Sequence, residues 1–224
     1  MIIYTDFIYN VLEPDEAKKL DDYRELHFVD DKLKIRKLFT YQELTDIEHF
    51  LSESDQEASI LEGYSEEYPT ACITFITRSE KGAFVTELHS AYLKTELAYR
   101  SQFLFMLNKE YYSGRSKYIC SQSIDLMTGL ADLGSTSKQY FFPEKEEEGH
   151  VPYFEAEYDD DGEVDMFTYF EVPDPYGDDS EERNGCYQYP SEEASTFGDS
   201  LPGFPGYFLD ATLDPFEVKA RSNS

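Results

Sequence analysis

A mixed α+β fold, with a mixed or antiparallel sheet under one long covering helix, is what this sequence predicts, together with an acidic β-hairpin and a loop-rich C-terminal region. Three observations lead there. Segments that alternate or are rich in β-branched residues sit among segments with apolar residues at helical spacing. With 19 Tyr and 17 Phe in 224 residues, the chain has enough large apolar surface to offset the entropy of folding, despite a net charge of −28 and a mean hydropathy of −0.59. The charge is also unevenly spread, with twenty carboxylates against two basic residues between Glu144 and Asp199. That shift divides the chain into an α+β body, residues 1–143, and an acidic, aromatic-rich hairpin and irregular region, residues 144–224, expected to pack on the body.

Taken in order, Ile2 to Leu12 suggests an opening strand. Glu13-Pro14-Asp15-Glu16 begins a short helix, with proline near its first position and acids complementing the helix dipole. Lys32 to Leu38 alternates as a half-buried strand, and Thr40-Tyr41-Gln42-Glu43 offers a capping box before Leu44, Ile47, Phe50 and Leu51 at helical spacing. Thr70 to Thr77 and Ala83 to Leu88 read as strands joined by the turn Ser79-Glu80-Lys81-Gly82. Leu93, Leu97, Leu104, Leu107 and Tyr111, widened by Tyr92, Tyr99, Phe103 and Met106, predict the long covering helix, ending near Ser113-Gly114.

A second helix is expected over Ser123 to Leu133, broken by Gly134-Ser135-Thr136-Ser137. Val151 to Tyr158 and Val164 to Val172 flank Asp159-Asp160-Asp161-Gly162-Glu163, a hairpin with a charged tip. From Pro173 the recurrent Pro, Gly, Asp and Ser point to irregular chain, with disorder around Asp178 to Asn184. Phe204, Tyr207 and Phe208 are expected to pack back on the body.

The chemistry-bearing residues are sparse. Cys72, Cys120 and Cys186 form no C-x-x-C pair, and His27, His49, His89 and His150 are scattered singly, which supports neither a zinc site nor a disulfide framework. The phosphate-binding glycine patterns are absent. Asp159 to Asp165 has clustered carboxylates and a glycine, but not the alternating ligands and distal glutamate of a calcium loop. Lys32, Lys34, Arg36 and Lys37 form a basic cluster inside a strongly negative field, which argues against binding nucleic acid. No segment has the apolar run of a membrane span, and the N-terminus lacks a signal-peptide pattern, so a soluble, cytoplasmic protein is expected.

These features point to a non-enzymatic inhibitor of the immunity type, needing no metal or cofactor, that binds and neutralises a basic toxin or effector without touching nucleic acid or membrane. Carboxylates steer a basic partner while exposed aromatic residues anchor it. The expected partner-binding residues are Asp159, Asp160, Asp161, Glu163, Asp165, Asp178, Asp179, Glu181 and Glu182, with Tyr153, Phe154, Tyr158 and Tyr169 as aromatic anchors. A phage nucleic-acid mimic blocking a host DNA- or RNA-binding or defence protein would use the same physics. A metal-dependent hydrolase built on the acidic hairpin is the enzymatic alternative.

Overall fold

A computed structural model describes residues 1–7, 9–106, 118–140, 154–170, 186–190 and 206–216. They fall into two compact units, one running to Gln102, the other taking in Phe103–Met106 and the residues described from Tyr118 onward.

In the first unit, β1 (Ile2–Thr5), β2 (Val11–Leu12), β3 (Tyr23–Val29), β4 (Lys32–Thr40), β5 (Glu43–Phe50), β6 (Cys72–Lys81), β7 (Phe84–Leu93) and the start of β8 (Glu96–Met106) lie in the sheet order β2-β1-β3-β4-β5-β6-β7-β8. The opening segment is therefore two strands, with Asp6 turning the chain between them by accepting from the backbone and side-chain amides of Asn10. The four-residue helix α1 (Pro14–Ala17) starts as expected, with proline in its first turn and a capping box between Glu13 and Glu16.

Two-residue turns set the register of the next hairpins. Asp30 and Asp31 between β3 and β4, and Tyr41 and Gln42 between β4 and β5, all have positive φ, which a type I′ turn requires and which suits the twist of the flanking strands. Aspartate tolerates this conformation, whereas Tyr41 and Gln42 are held in it: Tyr41 N donates to Asp22 Oδ1 and Gln42 N to the Asp21 carbonyl. The capping box read at Thr40 to Glu43 is thus a hairpin turn, and Leu44 to Phe50 is strand.

β5 and β6 run parallel, and parallel neighbours need a crossover. Helix α2 (Glu57–Glu67) supplies it, ending at Tyr68 where Pro69 follows. Its Leu61 packs with Ile73 and Phe75 in a core joined by Leu51, Ile60, Tyr64 and Tyr92. The expected hairpin of β6 and β7 is present and antiparallel, turning at Gly82 with φ 62°.

In the second unit the end of β8 is followed by β9 (Tyr118–Ile124), β10 (Ala131–Tyr140), β11 (Phe154–Tyr158), β12 (Val164–Phe170) and β13 (Cys186–Pro190), neighbours in that order, with each pair from β9 to β13 antiparallel. The acidic hairpin of β11 and β12 is as read from the sequence, and it extends the sheet at β10. A short 3-10 turn, Tyr207–Leu209, enters from Gly206 at φ 79° and buries Tyr207 and Phe208.

The described residues hold no long covering helix, and the α+β assignment gives way to a mainly β architecture in which they hold only α1 and α2 as α-helices. Leu93 ends β7, Lys94 turns the chain at φ 60°, and Leu97 and Leu104 belong to β8. The apparent helical stripe ran across that turn. Of its described members, Leu93, Leu97, Tyr99 and Met106 are exposed, and only Leu104 is fully buried. Strand pairing on both sides outweighs the local spacing, as tertiary contacts routinely outweigh propensity. The helix expected over Ser123 to Leu133 is instead the end of β9, a tight turn and the start of β10.

Candidate functional site

The β9–β10 turn carries three large apolar residues into solvent: Leu126 is 44% exposed, Leu130 69% and Met127 93%. Their spacing imitates a helix face. What prevents the helix is Asp125, whose Oδ1 accepts from Met127 N at 3.0 Å, Thr128 N at 2.6 Å and Thr128 Oγ1 at 2.8 Å. Asp125 N also donates to the Leu130 carbonyl, and Gly129, at φ 72°, returns its amide to the Asp125 carbonyl. The hydrogen bonds from Thr128, and a weaker one from Met127, hold the Asp125 carboxyl below its ordinary pKa against slight desolvation. Side-chain capture of backbone amides is the usual competitor of helix at aspartate, and here it presents the apolar tip in one fixed shape.

The acidic β11–β12 turn lies at the same end of the second unit. Asp160 rests on β10 at Gly134, where any Cβ would overlap its Oδ1. Asp159 Oδ1 accepts the amides of Asp161 and Glu163. Gly162 takes φ 81°, and a Cβ there would stand 3.1 Å from Leu133 and 3.3 Å from Ala211. Asp159, Asp160, Asp161, Glu163 and Asp165 are all exposed, and among the described residues Asp159, Asp160, Asp161 and Asp165 have no basic partner.

The aromatic anchors fare differently. Tyr158 is 4% exposed and its hydroxyl donates to the Phe208 carbonyl, so it belongs to the core under the hairpin, not to the surface. Phe154 and Tyr169 are paired across β11 and β12. Tyr153, Asp178, Asp179, Glu181 and Glu182 lie outside the described residues, as does Phe204.

A buried cation locks the C-terminal turn onto this sheet. Lys138 on β10 is fully buried, donates from Nζ to the carbonyls of Tyr207 at 2.5 Å and Asp210 at 2.7 Å, and lies 3.6 Å from the centroid of the Tyr207 ring. Ala156 and Cys120, its cross-strand neighbours, leave room for the long side chain. Burial pulls its pKa down to about 8 against the opposing pull of Cys120 and Asp210, and burial pushes the adjacent Cys120 thiol up to about 11.

The first unit has a separate feature on the sheet face opposite α2. Cross-strand register puts Arg24, Leu38 and Asp46 in one row and Arg36, Glu48 and Thr74 in the next. These residues, with Tyr9, His89 and Tyr99, line a cleft of about 250 Å³. Arg36 is ion-paired with Glu48 and donates to the Tyr9 hydroxyl at 3.3 Å. Beside the cleft Glu87, only 5% exposed, accepts from Arg78 Nε at 3.0 Å and stands 2.8 Å from His89 Nε2.

Among the described residues no three His, Cys, Asp or Glu side chains are grouped as a metal site requires, and no helix is long and apolar enough to cross a membrane. In the first unit β5 and β6 are a parallel pair joined by the α2 crossover, and in the second the pairs from β9 to β13 are antiparallel. Comparison with family models, characterised proteins and solved structures finds no match to this chain.

Sequence reasoning passed over Leu126, Met127 and Leu130 because it placed them inside a helix over Ser123 to Leu133. The signal that separates the two outcomes is Asp125 followed by Thr128 and Gly129, a side-chain-capped turn rather than a helix interior.

Proposed function

We propose that the protein is an inhibitor of the immunity type, binding a basic toxin or effector through the end of its second unit. One observation carries this reading: the rigid apolar tip of Leu126, Met127 and Leu130 stands beside a turn whose Asp159, Asp160 and Asp161 have no basic partner among the described residues. Protein interfaces combine a desolvated apolar anchor with charge at the rim, the anchor governing dissociation and the charge governing encounter. The turn's backbone amides are already held by Asp125, so binding has chiefly the exposed side chains to order.

The test is a pull-down with the tagged protein from cells that make it, at low and high salt, beside two variants: Asp159, Asp160 and Asp161 all changed to Asn, and Met127→Asp. One basic protein should dominate the wild-type capture, fall with salt, and be lost from the Met127→Asp eluate. In binding kinetics with that protein, the Asn variant should slow association and flatten the salt dependence. Equal recovery by wild type and both variants, or capture of no basic protein, overturns the proposal.

A further inference from the structure

We infer that the cleft roofed by Tyr9 in the first unit is a binding site for a free α-amino acid, its carboxylate held by Arg24 and its ammonium by Asp46. This does not rest on the inhibitor reading, since every residue of the cleft belongs to the other unit.

The two charges are left over from an otherwise paired surface. Arg36 has Glu48 and Arg78 has Glu87, whereas Arg24 forms no ion pair and Asp46 has no basic partner among the described residues. Arg24 is half-buried, and its one hydrogen bond runs from Nη1 to the Phe7 carbonyl at 3.0 Å, although a guanidinium carries five N–H donors. Removing an unpaired guanidinium from water is costly, and burial together with neighbouring Arg36 draws its pKa down against the opposing pull of Tyr9, Glu48 and Asp6. An arriving carboxylate would relieve that cost with a bidentate pair.

The aromatic clamp points the same way. The Arg24 guanidinium carbon lies 4.3 Å from the Tyr9 ring centroid and 4.7 Å from that of Phe7. Tyr9 is held there at φ 65°, a left-handed conformation costly for a tyrosine. The turn from Asp6 to Asn10 enforces it, with Tyr9 N donating to the Asp6 carbonyl at 3.2 Å, so the ring is in place over Arg24 before any ligand arrives.

Size and spacing select the ligand. Arg24 pairs with Leu38 and Leu38 with Asp46, so the two backbones stand two strand spacings, roughly 9.5 Å, apart. Both side chains line the same cleft with Leu38 between them in the row, so a ligand seated there meets a guanidinium on one side and a carboxylate on the other, which matches the two charges of a zwitterion. The cleft volume of about 250 Å³ falls below the roughly 300–1,000 Å³ of ordinary ligand pockets. Tyr99 and His89 complete the lining, where they would meet the ligand's side chain.

The experiment screens the twenty free amino acids at millimolar concentration against the full chain, by thermal shift and by chemical-shift changes in the tyrosine rings. The best binder is then compared with its decarboxylated amine, its deaminated acid and inorganic phosphate. At least one amino acid should bind saturably, with the amine and the acid weaker by at least about tenfold. Arg24→Gln and Asp46→Asn should each weaken it to a similar extent, with circular dichroism reporting an intact fold. Should Arg24→Gln unfold, Arg24→Lys, which keeps the charge but loses the fork, and Asp46→Asn carry the test. Binding of no amino acid, binding indifferent to these substitutions, or phosphate or the deaminated acid binding as tightly as the amino acid would each overturn the assignment.

Discussion

Lys138 Nζ lies over the ring of Tyr207 and donates to the carbonyl of the same residue, so one buried ammonium holds both the side chain and the backbone of the C-terminal turn. The folded protein binds this proton less tightly than the unfolded chain, because burial lowers the pKa to about 8 from an ordinary 10.5. Above about pH 8 the unfolded state therefore carries more protons, and stability rises with pH at up to about 1.4 kcal/mol per unit. Cys120, raised to about 11 from 9.0, opposes this from about pH 9 upward. Denaturant midpoints between pH 7.5 and 9 should climb for wild type relative to Lys138→Met; parallel curves would show that Lys138 does not titrate there.

Leu104 sits in β8 at 1% exposure. Leu104→Ala should cost about 2 to 5 kcal/mol, as for other large-to-small changes in a core. Leu97→Ala, on the same strand but 37% exposed, should cost far less. Urea unfolding of the two variants separates a strand buried at one position from a helix buried along a stripe.

In the first unit, acid should act in two windows. His49, 6% exposed and with Nδ1 2.9 Å from the Tyr64 hydroxyl, has its pKa lowered by burial and then by Lys34, against the pull of Asp55. The unfolded chain takes up that proton first as pH drops below about 6.5, so stability falls there. For Asp55, burial pushes upward, but hydrogen bonds from Lys34 and Ser52 and the Lys34 charge outweigh it and hold the carboxyl at about 2. Its contribution is present above about pH 4 and lost between about 4 and 2. Thermal melts across this range should show His49→Gln flattening the upper window and Asp55→Asn the lower one.

Gly162→Ala should destabilise by about 1 to 3 kcal/mol, since it forces a side chain into left-handed backbone and against Leu133 and Ala211. Gly129→Ala also has positive φ but open space around it, so it pays the backbone term alone and should cost less. Equal losses would mean that the contacts at Gly162 relax freely.

How much was legible follows from how local each signal is. Pro14 and Glu16 mark α1, Gly82 marks the β6–β7 turn, and Asp159 to Glu163 marks the β11–β12 turn, because turn and cap chemistry acts within a few residues. Of the expected interface, the carboxylates from Asp159 to Asp165 are exposed, yet Tyr158 is core. An alternating strand shows which residues share a face, not which face another segment will cover. Tyr158 lost its place at the surface to Phe208, fifty residues further along.

Composition, charge segregation and the short-range turns are properties of the sequence by itself, and they determined that this chain folds around aromatic residues, reverses at predictable points and presents a carboxylate-rich hairpin. Only the tertiary structure decided that Leu93 to Met106 spans a turn and a strand, that Lys138 is buried while Met127 is exposed, and that Arg24 and Asp46 share one cleft. Each of these depends on pairing between distant strands, where many weak contacts together outweigh the local preference of any one segment.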